Sequence, residues 1–153
     1  MILHGLKLLT NMKKNESLVN VRIETTVQAA AMFREAFPVI QKEERVFVLP
    51  LDASGKVLAK PILVSVGHED GTAAIDVGAI FREAFKAGAE EIIVAHNHPS
   101  GDPTPSKADY DATVRLNDGA NLVGLELIDH LILGSETSAD GTGFVSMAEL
   151  MAE

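Results

Sequence analysis

The chain has 153 residues, 13 Lys+Arg against 22 Asp+Glu for a formal net charge of -9, and no cysteine. That length holds one compact domain able to bury its own core. Without cysteine there is no disulfide framework, thiolate zinc site, iron–sulfur cluster or cysteine nucleophile. The acidic field repels a phosphate backbone, so direct nucleic-acid binding would need a local basic patch.

The leading MILHGLKLLTNMKKNES lacks a basic start and a small-residue cleavage site, so it is a poor secretory signal. No stretch approaches 18 uninterrupted apolar residues, so no spanning helix is expected and the expected location is the cytoplasm. Residues 1–20 read as a flexible lead-in, with Lys7, Lys13 and Lys14 a solvated cluster, and 21–150 as the domain. VNVRI alternates as a short strand would. Thr25 or Thr26 can cap a helix to about Phe37, with Ala29, Phe33 and Phe37 on one face and Pro38 forcing its end. RVFVLPLD, 45–52, reads as a strand in which Pro50 predicts an edge position or a bulge. Ala53-Ser54-Gly55 is turn chemistry, and 56–67 is the returning strand of a hairpin.

Asp76 can cap a second helix to Lys86, with Ile80, Phe81, Ala84 and Phe85 as its buried stripe and Gly88 as its stop. EEIIVAH, 90–96, predicts a buried central strand. A loop rich in Pro and Gly leads to a helix over about Ser106–Leu122, then LELIDHLILG, 125–134, and GFVSM, 143–147, predict two more strands. The terminal MAELMAE reads as a helical turn or a frayed tail. This order predicts an α/β (α+β) domain, a mixed sheet flanked by helices.

The chemistry concentrates in AHNHPSGDPTPSKAD, Ala95 to Asp109. His96 and His98 alternate where a strand leaves the sheet, so both imidazoles can project to one side. Asp109 follows one turn into the next helix, and the prolines between restrict the loop. Two imidazoles and a carboxylate suit Zn²⁺, and three protein ligands leave a fourth position open, as in catalytic rather than structural sites. A His-x-His pair alone is commonly two unrelated histidines. His-x-His-Pro, six residues, Ser, two residues, Asp fixes five positions, and its chance occurrence here is on the order of 10⁻⁵ from residue frequencies.

His96-x-His98-Pro99…Ser106-x-x-Asp109 resembles the signature of the JAMM (JAB/MPN+) metallopeptidase domain, and AHNHPSGDPTPS with LIDHLILG downstream resembles its RadC branch. The similarity runs from about Val21 to Val145. The helix-hairpin-helix region of longer RadC relatives is expected to be absent from these residues, so the chain resembles the short form. The resemblance implies a JAB/MPN-like (cytidine deaminase-like) architecture and one Zn²⁺ per chain held by His96, His98 and Asp109. It implies hydrolysis of a peptide or isopeptide bond by a zinc-activated water, with a glutamate from an early strand as general base. By its spacing upstream of Asp52 that glutamate is Glu44. Glu43 would point to the opposite face, and a register slip would exchange the two.

The resemblance also gives the Ser106 hydroxyl a role in stabilising the oxyanion, in competition with a plain helix-cap role for the same oxygen. Asp129 or His130 could orient a metal-bound imidazole from a neighbouring strand, or form a satisfied polar pair. His4 and His68 read as surface residues and Asp102 as a turn former. The loops 68–74 and 135–143 are expected to flank the substrate groove. The expected partner is a peptide or protein substrate, with no membrane and no direct nucleic-acid contact. The alternative function is a RadC-like protein-interaction or DNA-metabolism module without peptidase turnover.

Overall fold

A computed structural model describes residues 18–36, 42–67, 75–135 and 142–152. The expectations for the 1–17 lead-in with His4, for Phe37 and Pro38, and for the 68–74 and 136–141 stretches with His68 lie outside the described residues.

Among the described residues the order is α1 (Thr26–Ala36), β1 (Arg45–Leu51), β2 (Ile62–Val66), α2 (Val77–Lys86), β3 (Glu91–Asn97), α3 (Lys107–Val123), β4 (Glu126–Leu133), β5 (Phe144–Ser146) and α4 (Met147–Met151). The strands form one sheet of order β2-β1-β3-β4-β5. β3 and β4 run parallel and are joined through α3, the kind of long crossover that a parallel pair requires. The other neighbours pair antiparallel, so the sheet is mixed, flanked by helices, and consistent with a JAB/MPN-like fold.

β1 and β3 are buried at every position after their first. Their near-continuous apolar text follows from helices covering both faces. On one face α1 sets Met32 and Phe33 against Phe47, Leu49, Ile93 and Leu131. On the other, Ile80 and Ala84 of α2 and Ala112 and Leu116 of α3 cover Val46, Val48, Ile92 and Val94. Strand side chains alternate between these faces. Val46 is the Cα partner of His96, so His96 shares the α2/α3 side with Val46, Ile92 and Val94.

The helix ends follow their side chains. Asp76 accepts the Ala79 N–H at 3.0 Å and starts α2, while Gly88, at φ 77°, follows its C-cap Ala87. Ser146 accepts the Glu149 N–H at 3.2 Å, which makes MAELM a capped helix rather than a frayed tail.

Four local expectations are corrected. VNVRI is not a strand: Arg22 makes only an isolated bridge to Lys56, because the segment lies across the 55–57 turn instead of along a strand. β1 is not an edge strand. Pro50 is tolerated inside the sheet because β2 pairs only with Arg45 to Val48. The side of Pro50 that faces away from β3 has just its carbonyl to satisfy, and that carbonyl accepts the Leu58 N–H at 2.9 Å. The ladder irregularity in β1 falls between Val46 and Phe47, not at Pro50. The returning strand starts only at Ile62, after Pro61, since 58–61 leave the ladder. Phe85 is 50% exposed, being one step of about 100° past the buried Ala84 on a helix with a narrow apolar stripe.

Candidate metal centre

His96 is the penultimate residue of β3 and is fully buried, and His98 follows at the strand's exit. The loop after it is tied down by its own backbone. The His98 N–H donates to the Leu133 carbonyl at 2.9 Å, Gly101 N–H to the His98 carbonyl at 2.9 Å, and Ser135 N–H to the Gly101 carbonyl at 2.8 Å. Asp102 accepts the Thr104 hydroxyl at 2.6 Å and its N–H at 2.9 Å, so the expected turn role holds. The loop ends at Ser106, which caps α3 through a capping box. The Ser106 Oγ accepts the Asp109 N–H at 3.2 Å, and Asp109 Oδ2 accepts the Ser106 N–H at 2.8 Å. That reciprocal pair fixes the Asp109 carboxylate.

The three side chains converge. One ligand atom from each of His96, His98 and Asp109 can be chosen so that all lie within 4.8 Å of one another, a group that could hold a metal ion. His96 Nε2 stands 3.1 Å from Asp109 Oδ1, and His98 Nε2 stands 3.1 Å from Asp109 Oδ2. Ligands about 2.0–2.1 Å from a tetrahedral zinc are roughly 3.3 Å from each other, close to each of the two His–Asp109 separations. The decisive atom is His96 Nε2. It is fully buried and makes no hydrogen bond, with Asp109 Oδ1 3.1 Å away. A buried nitrogen in that condition is costly unless something else engages it, and a cation does. The second nitrogen of His98 faces the Asp102 carbonyl at 2.8 Å. A carbonyl only accepts, so Nδ1 carries the proton and Nε2 is left for the shared point.

Glu44 immediately precedes β1 and brings its Oε1 to 3.7 Å from His96 Nε2, with its side chain 13% exposed. Burial raises the Glu44 carboxyl above its ordinary range, against the pull of His96 and His98. Burial also pushes the Asp109 carboxyl up, but the flanking imidazoles and the Ser106 N–H outweigh it and hold it well below the usual carboxylate range. The hydrogen bond to Asp109 raises the pKa of His98, burial opposing it.

A sequence profile of the RadC-like JAB domain matches residues 23–151. The chain belongs to the RadC-like JAB domain family. A UPF0758 protein of Carboxydothermus hydrogenoformans is 47% identical over 94 residues, covering 61% of this chain and 41% of its own length. A UPF0758 protein of Clostridium perfringens is 35% identical over 136 residues, covering 89% of this chain and 56% of its own. UPF0758 protein YsxA of Bacillus subtilis is 50% identical over 70 residues, covering 46% and 28%. The chain thus spans about half the length of the curated relatives it matches, or less.

Within this RadC-like JAB domain, three residues around the cluster escape a reading of its signature. Asn97, between the two histidines, accepts the Arg45 N–H at 2.7 Å and donates to the Glu43 carbonyl at 3.1 Å, bracketing Glu44. Its position as the free letter of His-x-His hid it. Thr113, one turn after Asp109, places its Oγ1 2.7 Å from His130 Nδ1. Gly134 ends β4 against the loop, where an added Cβ would overlap the Gly101 carbonyl and come within 2.7 Å of Pro103 Cδ. Of the two residues left open on β4, His130 touches the cluster, its Nε2 lying 2.8 Å from His96 Nδ1. Burial, then the neighbouring His96, push its pKa down to about 3, so it is neutral. Asp129 faces elsewhere, accepting the Ser146 hydroxyl at 2.6 Å and the Ala148 N–H at 3.0 Å to dock α4. Among the described residues no helix is long and apolar enough to cross a membrane.

Proposed function

We propose that this domain is a zinc-dependent hydrolase of peptide or isopeptide bonds, with His96, His98 and Asp109 as metal ligands and Glu44 as general base. The observation that carries the reading is the buried, partnerless His96 Nε2, with Asp109 at 3.1 Å and Glu44 at 3.7 Å on the same atom. Two imidazoles and one carboxylate are a donor set suited to zinc and too small to complete a tetrahedron. Zinc, when bound, supplies a Lewis acid that lowers the pKa of a water toward neutrality.

Glu44 would take a proton from the attacking water as the water oxygen adds to the carbonyl carbon, and would return it to the nitrogen as the C–N bond breaks. A carboxyl raised by burial is suited to both halves of this shuttle. Ser106 gives its Oγ lone pair to the Asp109 N–H, which leaves the hydroxyl proton to be donated to the developing oxyanion. The cap and the oxyanion role therefore use different parts of one hydroxyl. The net charge of -9 favours peptide over nucleic acid as the substrate.

The test is cleavage of peptide and isopeptide libraries by zinc-loaded protein beside Glu44→Gln. Turnover in the parent, reduced about 10²- to 10⁴-fold in the variant at unchanged zinc content, is the expected result. Equal turnover in both, or none in the parent, removes the reading.

A further inference from the structure

A chain of short contacts runs from one metal-site residue back to another through two side chains that have no place in the signature. His96 Nδ1 is 2.8 Å from His130 Nε2, His130 Nδ1 is 2.7 Å from Thr113 Oγ1, and the Thr113 hydroxyl reaches the Asp109 carbonyl at 2.8 Å. All four residues are buried. The two contacts of His130 each need one donor and one acceptor, so their protons can run in only two ways.

In the first, Thr113 donates to the Asp109 carbonyl, His130 donates from Nδ1 to Thr113, and His96 donates from Nδ1 to His130. Every proton has an acceptor, and His96 Nε2 presents a lone pair. In the second, Thr113 donates to His130, His130 donates from Nε2 to His96, and His96 carries its proton on Nε2. That order strips the Asp109 carbonyl of the Thr113 hydroxyl proton and puts a proton on a buried Nε2 that makes no hydrogen bond in the structure. A threonine hydroxyl bonding back to the carbonyl four residues earlier is also its common use in a helix.

We infer that His130 and Thr113 are positioning residues that hold His96 in the Nδ1–H form, so that its Nε2 lone pair faces the metal. The inference rests on the metal-site reading above. The relay ties a ligand on β3 to the backbone of a ligand on α3 by way of β4. His130 is reached from β4 because its Cα pairs with Val94, two residues before His96 on the same face. The Asp102 carbonyl does the same for His98, so both imidazoles are set to offer Nε2.

The test combines ring-nitrogen NMR of the ¹⁵N-histidine-labelled full chain with zinc titration against a competing chelator. His96 and His130 are expected as Nδ1–H tautomers in the metal-free parent. His130→Leu, which removes the acceptor, is expected to weaken zinc binding about 10- to 100-fold. His130→Gln offers an oxygen near the Nε2 position and is expected to restore most of that loss. Thr113→Val keeps the branched shape without the hydroxyl and is expected to weaken zinc about tenfold, which keeps the test open should His130→Leu fail to fold.

A parent that binds zinc while His130→Leu, or Thr113→Val in its place, matches it within about twofold overturns the relay and leaves the metal site standing. So does an Nε2–H tautomer at His96, or a Gln variant as weak as the Leu variant. A parent that takes up no zinc overturns the metal site, and the relay with it.

Discussion

Asn97 donates from its side chain to the main-chain carbonyl of Glu43 at 3.1 Å. Its oxygen accepts the Arg45 N–H at 2.7 Å, and on the far side the Glu44 carbonyl accepts the Gly67 N–H at 2.7 Å. Glu44 is therefore held by its backbone on both sides while its carboxylate points at the histidines. Asn97→Ala should keep zinc stoichiometry and lower kcat at least about tenfold with little change in KM, since a base displaced by a fraction of an ångström loses orientation. It should also cost about 1–3 kcal/mol for the amide groups left without partners. Steady-state kinetics beside thermal melts check this, and an unchanged kcat would contradict it.

Ser106 can be dissected by residue choice. Ser106→Ala removes both the cap and the hydroxyl and should destabilise the fold by about 1 kcal/mol. Ser106→Asp keeps a capping oxygen but, ionised, has no proton to donate. Its Tm should stay near that of the parent while hydrolysis falls about 10²-fold, the cost of losing one oxyanion donor. Hydrolysis that follows Tm instead would leave Ser106 as a cap alone.

Gly134 allows the loop that carries His98 to sit against the end of β4. Arg34 of α1 donates to the Gly134 carbonyl at 3.2 Å and the Gly143 carbonyl at 2.8 Å, pinning this corner from the opposite side. Gly134→Ala cannot be absorbed, because the groups it meets are the Gly101 carbonyl and the ring of Pro103. Zinc affinity should fall at least about tenfold and stability by about 1–3 kcal/mol. A variant with parental affinity would show that the loop moves without disturbing His98.

Protons and metal compete for His98 Nε2. With the His98 pKa raised, chiefly by Asp109, the protonated form persists to higher pH than in an ordinary histidine. Zinc must displace that proton, so affinity should drop about tenfold per pH unit below the raised value and level off above it. In the metal-free protein the same shift stabilises the fold fully below the unfolded pKa and is lost as pH rises through the folded one. The depressed Asp109 carboxyl contributes above the ordinary carboxylate value and loses its contribution as pH falls through its folded value. The rise in Tm on adding zinc should therefore grow as pH rises toward and through the raised His98 value, and level off above it. A rise independent of pH would contradict this competition.

Elements with strong local signals were legible in the sequence. Asp76, Gly88 and Ser106 mark helix ends by their own chemistry, and the apolar run in EEIIVAH marks a covered strand. The signature likewise pointed to His96, His98 and Asp109, which the fold brings together. What escaped depends on neighbours. Pro50 marks an edge only if the adjoining strand extends past it, and β2 stops short. Phe85 looks buried by type, yet it lies half exposed on α2. Thr113 and Asn97 act through contacts to His130 and Glu43 that sequence spacing cannot reveal. Gly134 matters only because another loop approaches it.

Zinc content of chelator-stripped, reloaded and dialysed protein, measured for the parent, His96→Ala and Asp109→Ala, tests the shared metal site most directly. The account predicts about one zinc per parent chain and a loss of retained metal in both variants, with each variant still folded by circular dichroism. A parent that retains no zinc, or variants that retain as much as the parent, would contradict it.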